Sequence, residues 1–526
     1  MLSPGAGQCG EAVMNQAEPE VRANGLDLLI EEPGVTESGA TRSDAHEEPR
    51  GTSGGALMSR PMNARHPPGP RGNALLGNIL AAAKGELEFF KELGSYGDVS
   101  SFHLGRRRFY FVNHPELIRK VLTSQNFVRT AISRDLMESF LGRGLFSQEG
   151  ENHLQQRRLM QPAFHHKRIE GYGAVMERFA TRMLEGWKDG ETRDISHDMM
   201  RLTFEIVSKT LFDADTGAQA SEVGEAFTAI MRAINKEYPL YSVLPAWVPV
   251  KRWGASRRAV DALNGITSTI IQERRKTGED RGDLLSMLLL ARDEDGTKMT
   301  DEQVGAQTLS LLFAGHETTA NLLSWTWLLL SRNPDIRQKL QEEVDTVLEG
   351  RAPTVGDLSK LKYTESVVKE TLRIYPPAWY AERAPLTDTE LGGYRIPANA
   401  PIVISVYVTH RDGRFFEEPE RFQPERFLGV EDRQLPAYLP FGGGTHLCIG
   451  NRFALMEAQL LVAALAQRYE LELEPGVEVK PRALITLGVE GLRMKVKRRQ
   501  AGAGSPRASP ASSASDSSAR AEGTKR

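Results

Sequence analysis

Between residues 61 and 499 apolar positions recur every three or four residues more often than every second one, with Pro and Gly as punctuation. That pattern predicts a mainly α body in which small β-sheets gather toward the C-terminal third. The clearest helix opens at Thr300, which with Gln303 makes a capping-box pattern, and its apolar period runs to Arg332, where Asn333 and Pro334 stop it. At about 1.5 Å per residue such a helix spans roughly 48 Å, the width of a domain. A helix this apolar must cross the core. Yet its middle reads Ala314, Gly315, His316, Glu317, Thr318, Thr319, which puts a carboxylate and hydroxyls where leucine would cost less. A second helix is predicted over 362–374, stopped by Pro376 and Pro377, with Glu370 and Arg373 on one face and able to pair. Strands are predicted at 393–396 and 401–408, then an irregular stretch holding His410 and the run Pro424, Glu425, Arg426, Phe427. A helix over 451–467 follows, and the alternation of Tyr469, Leu471, Leu473 and of Leu492, Met494, Val496 predicts terminal strands.

The two ends differ from this body. Residues 1–60 are acidic with scattered Gly, Pro and Ser, and 500–526 are rich in Ser, Ala and Arg; both are expected to be disordered, flanking one large helical domain at 61–499. Across 526 residues, 69 acidic side chains against 66 basic ones leave a net charge of −3, which argues against a general nucleic-acid binder. No stretch approaches the ~18 apolar residues of a membrane span. The richest, 322–330, is broken by Ser324 and Thr326, so a cytoplasmic protein is expected. Of the two cysteines, Cys9 lies in the polar leader and Cys448 in the body, which rules out a disulfide framework and a paired-thiolate zinc site. Any chemistry at Cys448 is that of a single thiolate.

The segment around it reads Pro440, Phe441, Gly442, Gly443, Gly444, Thr445, His446, Leu447, Cys448, Ile449, Gly450. Three glycines free the backbone to approach a flat ligand, and a cysteine just before a helix N-terminus is expected to favour the thiolate. The segment resembles the haem-binding signature F-x-x-G-x-x-x-C-x-G of the cytochrome P-450 family, matched at Phe441, Gly444, Cys448 and Gly450. Further family elements follow in order: the proline-rich hinge Pro67, Pro68, Gly69, Pro70, the A-G-x-E-T run from Ala314, E-x-x-R at Glu370 and Arg373, and P-E-R-F from Pro424.

The resemblance implies the family's fold, a single helical domain whose long helix passes over haem b, and the hydroxylation of a hydrophobic substrate, a fatty acid or a terpenoid, with O2. It implies Cys448 as the axial thiolate on iron and Arg157, Arg383 and His446 as partners of the haem propionates, with His153 standing where the family commonly has Trp. Glu317 and Thr318 match the family's acid and alcohol pair for proton delivery, placed by a local widening of the helix around Gly315; the alternative for Thr318 is a hydroxyl that bonds back to a helix carbonyl. Glu370, Arg373 and Arg426 match a structural ion triad. Electrons would come from NAD(P)H through a separate ferredoxin and ferredoxin reductase, to a monomer. Segments matching substrate-contacting regions, 136–145, 227–244, 311–315, 378–380 and 485–489, are apolar. A zinc hydrolase fails because Ala320 stands where His316 would need a second histidine. A gas sensor would not need Glu317 and Thr318, and peroxide-using relatives of the same fold commonly lack that pair.

Overall fold

The computed structural model describes residues 66–499, apart from 215–225, 228, 231, 234–256, 293–295 and 297. The expectations for the leader, the tail and most of 227–244 lie outside the described residues.

The helix Asp301–Arg332 organises the body. Both halves of its capping box form: Gln303 N donates to Thr300 Oγ1 at 3.2 Å and Thr300 N to Gln303 Oε1 at 2.9 Å. Every residue from 319 to 330 is buried, and the neighbouring helices Ile195–Phe212, Arg257–Thr277, Lys362–Ile374 and Asn451–Arg468 pack around it. A helix apolar on all sides is stable only when enclosed in this way. Its buried hydroxyls bond back along the helix, Ser324 to Ala320 O at 2.7 Å and Thr326 to Leu322 O at 2.8 Å. The expected widening around Gly315 is absent, because the helix is α throughout. Gly315 serves a close approach instead. A Cβ there would lie 2.8 Å from Val207 Cγ2 on Ile195–Phe212.

The strands form a separate layer. One five-stranded sheet runs in the order Val99–Leu104, Arg107–Val112, Ile402–Ile404, Ala381–Pro385, Phe127–Val128. Its only parallel pairing, Tyr110 with Ile402 through Val112 with Ile404, joins segments almost 300 residues apart. The proline-rich hinge is tied to this sheet, since Ser101 donates from N and Oγ to Pro68 O and Pro67 O, both at 2.8 Å. The strand expected over 401–408 is shorter: Ser405 caps a helical turn, Val406–Thr409, and ends it. The predicted terminal strands are Tyr469–Leu473 and Arg493–Arg498, the latter lying between the former and Thr192–Asp194 in a three-stranded sheet, and Tyr469, Leu471, Met494 and Val496 are buried. A hairpin, Pro481–Ala483 with Leu487–Val489, packs on the central helix.

Candidate active site

The cysteine segment is shaped by glycine and by one carbonyl. Gly444 has φ +66°, and a Cβ there would lie 1.9 Å from Leu122 O, so only glycine lets the segment lie against that backbone. The turn Gly444–His446 follows, Leu447 N donates to Gly444 O at 3.0 Å, and Cys448 N donates to Phe441 O at 3.0 Å. Phe441 therefore closes the loop through its main chain. Gly450 precedes the helix Asn451–Arg468 with φ −95°, and its N–H supports the Cys448 thiol. Cys448 is accessible at its surface, yet protein around it desolvates the thiol and pushes its pKa up, against the Gly450 N–H and the Arg157 charge. The support expected from the helix start is thus opposed by desolvation, and a positive ion at sulfur would add to that support.

Beside the cysteine lies a buried cationic cluster. Arg157 Nη1 donates to Leu447 O at 2.6 Å, so the helix Gly150–Met160 is bonded to the cysteine segment. His153, one turn earlier on that helix, packs against His446 with the rings tilted and their centroids 4.3 Å apart. Arg383, on the strand Ala381–Pro385, is buried and its Nη1 donates to Glu382 O at 2.8 Å. Two members were missed in the sequence. Arg129 donates from Nη1 to Gln148 O at 3.1 Å, and Glu149 stands between Arg129 Nη1 at 3.5 Å and His446 Nε2 at 3.2 Å. Neither residue carries a motif; Arg129 follows a two-residue strand and Glu149 merely precedes a helix.

Burial works against the charged forms of the basic groups in this cluster. Burial, joined by repulsion from Arg383 and Arg134, lowers the Arg129 pKa to about 10 against the pull of Glu149. Burial and the neighbouring charges of His446 and Arg129 lower His153 to about 3. Arg383, Arg157 and His446 are lowered too, chiefly by burial. Glu149 is lowered as well, but toward its charged form, since pairing with His446 and Arg129 overrides burial and brings it to about 2. One thiol beside buried guanidinium and imidazole donors is a donor set suited to an iron porphyrin with two carboxylates.

Behind this segment lies the Glu370 network. Arg373 donates from Nε and Nη2 to Glu370 at 2.7 and 2.8 Å, with neither side chain exposed, and Arg426 Nε reaches Glu370 Oε1 at 3.3 Å. Gln423 N adds a donor to that oxygen at 2.9 Å. Arg373 also donates to the carbonyls of His410, Pro419 and Arg421 at 2.7, 2.8 and 3.2 Å. His410, which no motif singled out, completes the link. Leu439 N donates to its Nε2 at 2.8 Å, so Nδ1 carries the proton toward Arg373 O at 3.1 Å. Burial and the Arg373 charge hold His410 neutral, at about 3. The imidazole thereby ties the ion network to the residues leading into the cysteine segment.

On the central helix, Thr318 Oγ1 donates to Ala314 O at 2.6 Å, the back-bonded arrangement, which leaves its lone pairs free to accept. Glu317 is buried; Oε1 accepts from Thr486 Oγ1 at 2.6 Å and Oε2 has no protein partner. Burial raises its pKa against Thr486 and Arg482. Of the apolar segments, 136–145, 227–244, 311–315 and 485–489 contribute Met137, Phe140, Phe227, Phe313 and Ile485 to one pocket. The segment 378–380 does not join them, because Trp379 packs with Phe90 and Tyr380 in another cluster.

Comparison with known proteins agrees with this geometry. A family model described as Cytochrome P450 matches residues 67–496. The chain is 38% identical over 439 residues, 82% of its length and 95% of the relative's, to cyclooctatin synthase of Streptomyces melanosporofaciens. It is 38% identical to cyclooctat-9-en-7-ol 5-monooxygenase of the same organism, over 76% of this chain and 88% of the other. To pentalenene oxygenase of Streptomyces avermitilis it is 33% identical over 78% and 93%. Among the described residues no helix is long and apolar enough to cross a membrane. The chain belongs to the cytochrome P450 family, whose members are monooxygenases built on a haem held by a cysteine thiolate.

Proposed function

We propose that the protein hydroxylates an unactivated C–H bond of a polycyclic terpenoid, working as a cytoplasmic monomer with electrons from NAD(P)H through a separate ferredoxin and its reductase. The observation that carries the reading is the lone Cys448 thiol in a glycine-shaped loop beside Arg157, which bonds to Leu447 O, with His446 and the buried Arg383 and His153 grouped next to it. A haem b bound there supplies the activation of O2 that puts one oxygen atom into substrate and releases the other as water.

The chain's own residues do the rest. Cys448 provides the anionic ligand, held by the Gly450 N–H and by a loop that Phe441 O and Gly444 shape. Arg157, Arg383, His446 and His153 receive the propionates, and Arg129 joins them. Glu370, Arg373 and Arg426 keep the loop in place without touching reactants. Burial raises the pKa of Glu317 and so favours its acid form as a proton source, and Thr318, with its own proton committed to Ala314 O, offers its lone pairs to a proton-carrying partner. The apolar pocket excludes water and selects a hydrocarbon surface. Terpenoid is favoured over fatty acid because relatives carry the names of cyclooctat-9-en-7-ol and pentalenene, both terpenoid skeletons.

The test begins with the absorption spectrum of reduced, carbon monoxide-treated protein. A strongly red-shifted Soret band that Cys448→Ala abolishes is expected; haem with an unshifted band in the unsubstituted protein would contradict the thiolate. Thr318→Ala should release peroxide in place of product, and full coupling in that variant would remove Thr318 from proton delivery.

A further inference from the structure

Glu317 is held from outside its own helix, by the C-terminal hairpin, whose residues 485–489 the resemblance marks only as a substrate-contacting segment. The shoulders of the hairpin turn are fixed: Trp379 Nε1 donates to Leu484 O at 2.7 Å and Trp325 Nε1 to Leu487 O at 3.0 Å. Leu484 N closes the turn onto Thr486 O at 3.0 Å. Thr486 is thereby delivered to the central helix. Asn321, one turn beyond Glu317, donates from Nδ2 to Thr486 Oγ1 at 3.2 Å. Gly488 permits this approach, since a Cβ there would lie 2.9 Å from Asn321 Oδ1.

The direction of these bonds follows from counting protons. A hydroxyl carries one proton and an amide nitrogen can only donate, so Thr486 Oγ1 accepts from Asn321 and its own proton points to Glu317 Oε1. Oε1 is then an acceptor, so in the acid form of the carboxyl the proton sits on Oε2, the oxygen with no protein partner. Of the charged groups, Arg482 of the same hairpin acts on Glu317, and its guanidinium is paired with the exposed Glu490.

We propose that Thr486, oriented by Asn321, is a positioning residue for Glu317: it locks Oε1 as acceptor and leaves Oε2 as the single outlet for the proton. The inference rests on the proton-donor reading of Glu317 given above. It assigns the hairpin a role in catalysis beyond forming a wall of the apolar pocket through Ile485.

The test is infrared difference spectroscopy of the haem-loaded protein, with Glu317→Gln identifying the band of the protonated carboxyl. Thr486→Val should move that band to higher frequency, because its C=O loses a donor, and Thr486→Ser should restore it. Asn321→Ala, which spares the hydroxyl but lets it rotate, should broaden the band and serves also if the valine variant does not fold. In parallel, with electrons supplied by a plant-type ferredoxin and its reductase to the substrate-free enzyme, the ratio of peroxide to water formed should rise about tenfold in Thr486→Val, the size of one lost hydrogen bond, and return in the serine variant. An unmoved band, or a carboxylate band where the acid band is expected, overturns the positioning role. A moved band with an unchanged ratio overturns it too where Glu317→Gln does alter the ratio. If Glu317→Gln also leaves the ratio unchanged, it is the proton-donor reading of Glu317 that fails.

Discussion

Replacing Arg373 by methionine should unfold the region behind the cysteine segment, and the cost can be built from its contacts. Arg373 and Glu370 are both fully buried, so removing one leaves the other charge without its main partner, at ~3–5 kcal/mol. For Glu370 the remaining support is Arg426 Nε at 3.3 Å and Gln423 N at 2.9 Å. Arg373 also serves the carbonyls of His410, Pro419 and Arg421, and a buried acceptor left dry costs about 1–3 kcal/mol. Against a total stability of about 5–15 kcal/mol, Arg373→Met should be close to unfolded. The informative variant is the double one, Glu370→Leu with Arg373→Met. Exchanging a simple buried pair for apolar residues is often neutral. Here three carbonyls and Gln423 N lose their partners even when both charges are gone, so the double variant should stay about 3 kcal/mol or more below the parent. Urea unfolding of the haem-loaded protein, followed by tryptophan fluorescence and by the carbon monoxide spectrum at each concentration, measures this. A double variant as stable as the parent would refute the reasoning and reduce the network to an ordinary ion pair.

Two further outcomes follow from local geometry. Gly444→Ala, which would put a Cβ 1.9 Å from Leu122 O at φ +66°, should yield protein without the red-shifted carbon monoxide band, and a variant with full haem content would contradict the close approach. His316 is buried against Phe204 and Phe227, and burial lowers its pKa to about 4. The unfolded chain, with a histidine near 6.5, therefore binds the proton first, and stability is lost as pH falls from about 6.5 toward 4, by at most about 1.4 kcal/mol per pH unit. His316→Phe should flatten the acid limb of a stability profile by that amount and leave stability at pH 8 equal or higher; an unchanged limb would show that His316 is not held neutral.

The elements most legible in the sequence are those whose causes lie within a few residues. The capping box at Thr300, the prolines after Ile374, and the glycines before Cys448 act through backbone geometry and adjacent hydrogen bonds, and each stands where the pattern put it. The alternation of Met494 and Val496 likewise reports one buried face. Where local and tertiary preferences compete, the pattern misleads. Residues 406–409 are β-branched or aromatic at all four positions, yet Ser405 caps them into a helical turn that fits between Trp379 and Asn113. The Cys448 thiol is the electrostatic counterpart, because proximity to a helix start is readable in sequence whereas desolvation is not.

By itself, then, the sequence determined the long core helix, the cysteine segment, the pairing of Glu370 with Arg373 and, through the ordered motifs, the family. Only the tertiary structure decided what surrounds them. Arg129 and Glu149 join His446 across some 300 residues, His410 bonds to Leu439 and to Arg373, and Thr486 reaches Glu317 at a separation of 169 residues. The physical reason is common to all: a buried polar group must find a partner somewhere, but which partner is set by how helices and sheets pack, and packing is a property of the whole chain rather than of any stretch of it.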